Sequence, residues 1–198
     1  SLTDSLQQVW SKKNTRLNLR RQQRATTNHI RRAFGYPSSY TGQKKGVVLL
    51  VEFSDKWMKS TNRREQFDKM FNQVGYHDYN NEGSVHDYFY DQSYGQFDLT
   101  FDVYGPIQVS KSYTYYGEND NNDNDKHVGE LATEVCRKAD QTYDIPWGDY
   151  DWDGDKEVDQ VMIVYAGYGE HANAPKNTIW AHESSLSLLK PSRDGEGR

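Results

Sequence analysis

Between Asp149 and Glu170 the chain reads DYDWDGDKEVDQVMIVYAGYGE, a carboxylate-dense turn that feeds directly into an apolar run. Asp149, Asp151, Asp153, Asp155 and Asp159 crowd one short stretch, where their charges repel one another unless a cation sits among them. Calcium takes six to eight hard oxygen ligands, and alternating aspartates around a tight bend at Gly154 can aim at one centre. Read from Asp149, the D-x-D-x-D-G pattern fills the first half of an EF-hand-like loop, but Gln160 stands where the bidentate Glu belongs. Val158, Val161, Met162, Ile163, Val164 and Tyr165 then form a β-rich run, so the spacing predicts a loop-to-strand calcium site and not a helix-loop-helix one. The alternative is a solvated acidic turn that holds no ion.

A length of 198 residues suits one domain with a sizeable core, or one lobe of a larger one. Hydrophobic content is only 34% while Tyr numbers 15 and Trp 5, so the core must lean on aromatics. The single cysteine, Cys136, excludes an intramolecular disulfide and gives no compartment. No apolar run reaches membrane-spanning length, and no secretory leader opens the sequence; an exported protein would have lost it. Charge is asymmetric. Of 24 Lys/Arg and 29 Asp/Glu, ten basic residues and Asp4 alone fall in residues 1–45, leaving 14 basic against 28 acidic in the remainder. Such a basic segment suits docking on the acidic body or a separate partner, and nucleic acid is a poor one because the acidic body would repel phosphates.

Residues 5–33 have the spacing of one or two basic amphipathic helices, with a linker at Tyr36–Gly42 and a boundary near Gln43. Gly46–Phe53 reads as a central strand buried on both faces. Asn62–Val74, with Thr61 or Asn62 as N-cap, and Ser84–Tyr94 read as helices. Phe97–Tyr104 alternates like a half-buried strand that Gly105-Pro106 interrupts, and Ile107–Val109 continues the ladder. Glu118–Asp125 is a solvated loop or a second cation site. Lys126–Gln141 is a helix whose inner face carries Val128, Leu131, Val135, Cys136 and Ala139, and strands follow at Val158–Ala166 and about Thr178–His182. The order β-α-α-β-α-β-β describes a mixed α/β layer structure.

Catalytic motifs are incomplete. A zinc hydrolase helix would read H-E-x-x-H, but His182-Glu183-Ser184-Ser185-Leu186 has leucine at the second ligand position. Gly167-Tyr168-Gly169-Glu170 lacks the third glycine and lysine of a phosphate loop, and G-x-S-x-G is absent. Read from the residues alone, this is a cation-binding α/β domain with no catalytic residue to assign.

Five segments together carry a resemblance: Val48–Asp55, Ser84–Gly95, Phe101–Pro106, Tyr150–Asp155 with Val158-Asp159, and Tyr165–Glu170 through Ile179–His182. Over about Lys45–Ser187 the chain resembles the immune inhibitor A family of secreted bacterial zinc metallopeptidases. The resemblance implies the N-terminal subdomain of a zincin-like fold, a twisted mixed β-sheet with backing helices whose edge strand near Thr178–His182 lines the substrate cleft. Ile179, Trp180 and His182 are thereby expected to bind an extended protein or peptide substrate by β-augmentation. The family's H-E-x-x-H helix lies downstream, so the zinc ligands are expected outside this chain, in a C-terminal part of the same peptidase. The chain is then expected to be a truncated or nicked form, inactive alone. The five-aspartate loop becomes a structural calcium site, and residues 1–45 a propeptide-like extension whose paired arginines offer cleavage sites. Two further readings stay open: a pseudo-peptidase that binds peptide or protein without cleaving it, and a carbohydrate-binding domain that stacks sugars on Trp147 or Trp152.

Overall fold

The computed structural model describes residues 40–59, 63–181 and 183. Three strands, β1 (Gly42–Glu52), β2 (Phe97–Gln108) and β3 (Val161–Tyr165), form one sheet in the order β2-β1-β3. Helices α1 (Arg63–Asn72) and α2 (Val85–Gln92) connect β1 to β2, and α3 (Tyr113–Tyr116) and α4 (Val128–Tyr143) connect β2 to β3. Short 3-10 turns occupy Asp78–Asn80, Trp147–Tyr150 and Glu170–Ala172.

β1 is the middle strand, and Val47 to Val51 are fully buried. Its run of apolar residues serves two cores. Val47, Leu49, Val51 and Phe53 pack with Leu131, Val135 and Ala139 of α4, while Val48 and Leu50 pack with Phe71 of α1 and with Leu99, Phe101 and Val103. A parallel strand covered on both faces needs this continuous pattern, so the sequence reading of a central strand holds. Buried Tyr113, Tyr116, Tyr150, Phe53 and Trp152 bear out a core built on aromatics.

Two expectations about the sheet are corrected. The described strands all run parallel, β1 with β2 and β1 with β3, so the sheet is not mixed among the described residues. Thr178 to Ala181 form no strand there. Both the amide and the hydroxyl of Thr178 donate to Pro175 O, at 3.0 and 2.7 Å, which folds this stretch into a turn. β2, by contrast, does not stop at Gly105-Pro106. Leu49 pairs with Tyr104 but Val51 with Ile107, so one extra β2 residue is accommodated as a bulge. The bulge switches faces: Leu99, Phe101 and Val103 point to the α1 side, Ile107 and Val109 to the α4 side.

The helices start and stop as their ends dictate. Ser84 caps α2 through a reciprocal capping box with Asp87, whose carboxylate also accepts from Gly75 N. The N-terminal residues that would cap α1, Thr61 and Asn62, and the basic stretch before Tyr40 lie outside the described residues. Asn72, the last residue of α1, turns its amide onto the outer edge of β2, donating to Phe101 O at 2.9 Å and accepting from Phe101 N at 2.7 Å. It stands in for a neighbouring strand at that point.

Candidate metal loop and the segment after β3

α4 ends at Asp144 in a left-handed conformation, and the chain passes through the Trp147–Tyr150 turn before the acidic loop opens. Asp151, Asp153 and Asp159 converge, each offering one carboxylate oxygen within 4.8 Å of the others. The other two candidate ligands are not in this group. Asp149 sits in the 3-10 turn with its carboxylate 4.0 Å from Lys45 Nζ, and Asp155 Oδ1 accepts from Glu157 N at 2.9 Å.

The loop is shaped by amide donors. Asp151 Oδ1 accepts from Gly154 N at 2.8 Å and Asp155 N at 3.2 Å, and its Oδ2 accepts from Lys156 N at 2.9 Å. Gly154 turns the chain at φ +79, a region that glycine enters without strain. Asp159 closes the loop, its amide donating to Tyr150 O and its carboxylate accepting from Trp152 N. Burial pushes the Asp159 carboxyl above its ordinary range; the Trp152 amide pulls it partly back, and the charges of Asp153, Asp155 and Asp151 push it further up. Concentrated negative charge of this kind is what a bound cation would relieve.

Trp152 ties this loop to the sheet. Its ring is buried against Phe97 and Tyr40, its indole Nε1 donates to Lys45 O at 2.6 Å, and its carbonyl accepts from Lys44 Nζ at 2.7 Å. Sequence reading missed this role. The signal was a tryptophan flanked on both sides by loop aspartates, an apolar residue with no reason to sit there unless it reaches the core. The burial of Trp152 closes its ring to sugar stacking, while Trp147 is half-buried and its Nε1 donates to Asp140 at 2.9 Å.

All three convergent ligands are carboxylates. Hard oxygen donors suit calcium or magnesium, whereas zinc sites in proteins rest on imidazole and thiolate with at most one or two carboxylates. The described histidines do not gather around a common centre. His86 bonds Asp98, His127 stacks on Tyr115 beside Glu130, and His171 lies edge-on to Trp180. The described residues therefore do not fit a zinc centre.

After β3, Ile179 is buried in the α4-side core, and its carbonyl accepts from Tyr165 Oη at 3.0 Å and Glu170 N at 3.1 Å. Trp180 is half-buried, and its amide donates to Asp125 Oδ2 at 3.0 Å, which ties this segment to the Glu118–Lys126 loop. His182 lies outside the described residues.

The family model for "Immune inhibitor A peptidase M6, catalytic domain" matches residues 38–196, most of the chain. The chain belongs to the immune inhibitor A (M6) peptidase family. Among curated relatives, it is 25% identical over 191 residues to "Pre-pro-metalloprotease PrtV" of Vibrio cholerae serotype O1, strains M66-2 and ATCC 39315 / El Tor Inaba N16961, covering 80% of this chain. The chain spans about a fifth of those relatives' length, 21%. Its described residues are α/β, and no helix among them is long and apolar enough to cross a membrane.

Proposed function

We propose that this chain supplies the N-terminal part of the catalytic domain of a secreted, calcium-stabilised zinc metalloendopeptidase that cleaves protein or peptide substrates. The observation that carries this reading is the match to the M6 catalytic domain over residues 38–196. The name of the relatives, pre-pro-metalloprotease, supports secretion and a propeptide-like role for residues 1–45. The convergence of Asp151, Asp153 and Asp159 supports a structural calcium site that braces the entry into β3, with Asp149 and Asp155 as its further proposed ligands.

Zinc ligands in a C-terminal part of the same peptidase belong to this reading, which rests on the family match and on the chain spanning 21% of its relatives' length. Zinc there would polarise the peptide carbonyl and activate water. The residues of this chain hold the frame: the sheet fixes the cleft wall, and Ile179 anchors the segment that carries Trp180 and His182 as the substrate-binding residues.

The test is hydrolysis of casein by this chain and by protein carrying the whole M6 catalytic domain. The reading expects cleavage only by the latter, lost with a zinc chelator and restored by zinc. Zinc-dependent hydrolysis by residues 1–198 alone would overturn the assignment of the ligands, and a whole domain that binds peptide without cleaving it would establish the pseudo-peptidase in its place.

A further inference from the structure

The strand order reverses at β1. The chain crosses from β1 to β2 through α1 on the face of Val48 and Leu50, then from β2 past β1 to β3 through α4 on the face of Val47 and Leu49. Val51 pairs with Tyr165, so the carboxyl ends of β1 and β3 lie side by side. The segments that follow them part company: the one after β1 leads to α1 on one face, and the one after β3 returns Ile179 to the core on the other. In an open parallel sheet such a reversal leaves a crevice outside the carboxyl ends of the two strands, where ligands bind.

Each of the two loops at that place carries an aromatic ring turned to water on a backbone that is held. Trp57 is 55% exposed and Tyr168 71%. Around Trp57, Phe53 N donates to Lys56 O at 2.8 Å and Met58 N to Glu52 Oε1 at 3.0 Å. Tyr113 Oη donates to Tyr168 O, and Glu170 N donates to Ile179 O at 3.1 Å. Buried Tyr113 joins the loops, because its amide also donates to Asp55 Oδ1 at 2.8 Å and the Lys56 ammonium lies 5.8 Å over its ring. Rings fixed in this way bury apolar area on a ligand at little cost in ordering. The same end of β3 holds the segment assigned to substrate, through Tyr165 Oη on Ile179 O and the edge-on contact of His171 with Trp180. We propose that Trp57 and Tyr168 are specificity-determining residues that extend this segment along the carboxyl end of the sheet and take a large apolar or aromatic side chain of the polypeptide substrate. Tyr113 is a positioning residue for both. The inference rests on the peptidase reading above.

The test is the profile of sites cut in casein by protein carrying the whole M6 catalytic domain, read by mass spectrometry. Wild type should enrich Phe, Tyr, Leu and Met at one position near the scissile bond. The double variant Trp57→Ala/Tyr168→Ala should lower that enrichment about tenfold, the worth of burying one large apolar side chain. Tyr113→Phe, which removes only the hydroxyl that holds Tyr168, should lower it less. Tyr94→Ala is the control: it deletes a ring 92% exposed at the opposite end of the sheet, just before β2 starts, and should leave the profile unchanged. A wild type without such enrichment, a double variant with the same profile, or a fall in total rate with the profile kept would overturn the inference. If the domain binds casein peptides without cutting them, the peptidase reading fails and this inference is read from the retained peptides, with the same enrichment and the same loss expected. A domain that retains none overturns both.

Discussion

Glu134 shows how much one side chain on α4 can hold. Its Oε1 accepts from Ser110 N at 2.7 Å and Lys138 Nζ at 2.8 Å, and its Oε2 from Tyr116 Oη at 2.6 Å and Ser110 Oγ at 3.0 Å. Burial alone would raise its carboxyl; the bonds from Lys138, Tyr116 and Ser110 outweigh burial and hold it down at about 2. A carboxyl depressed in the folded state stabilises the fold above its unfolded value near 4.5 and loses that contribution as pH falls toward about 2. Urea midpoints measured from pH 6 to pH 2 should therefore fall through this window. Glu134→Gln should flatten that fall and cost about 2 kcal/mol at neutral pH. Gly105 is a second sensitive point. At φ +114 a Cβ would lie 2.6 Å from Leu50 O, so Gly105→Ala should cost about 3 kcal/mol or more in urea unfolding, with no loss of buried apolar area to explain it.

The elements were legible to different degrees. β1 was, because a strand buried on both faces writes its position as an unbroken apolar run. α2 and α4 were, α2 within the helix expected over Ser84–Tyr94 and α4 through the inner face of Leu131, Val135 and Ala139. The resumption of the ladder at Ile107 was legible too, and pairing of Ile107 and Gln108 with Val51 and Glu52 of β1 bears it out; the bulge that carries β2 through Gly105-Pro106 as one strand was not, since local turn chemistry there says stop. Thr178 to Ala181 misled in the other direction. Ile179 and Trp180 have strand-like composition, but the bonds of Ile179 O to Tyr165 and Glu170 bind it as a core anchor and not as a ladder member. Asn72 was invisible as well, because an asparagine near the end of a helix announces no partner. Its two bonds to Phe101 close the edge of β2, so Asn72→Ala should destabilise the fold by about 1–2 kcal/mol and speed amide exchange at Phe101, read by hydrogen exchange.

At the scale of the whole molecule, an α/β frame is joined to an acidic loop through Trp152. The loop could be found in the sequence by its charge density, but its stoichiometry of ligands could not. Asp151, Asp153 and Asp159 converge, while Asp149 sits in the turn that ends in Tyr150 and Asp155 accepts from Glu157 N. With no cation, Asp159 is pushed toward protonation by burial and by its neighbours, so Asp159→Asn should leave the metal-free protein at least as stable as wild type. The same substitution should weaken calcium binding at least about tenfold in titration calorimetry, since it removes a charged ligand. The central claim, a calcium-braced frame whose zinc ligands lie elsewhere, is tested most directly by the metal content of the purified chain. After exposure to calcium and zinc together and dialysis into metal-free buffer, plasma mass spectrometry should find roughly one calcium per chain and no zinc. Stoichiometric zinc, or no retained calcium, would contradict the account.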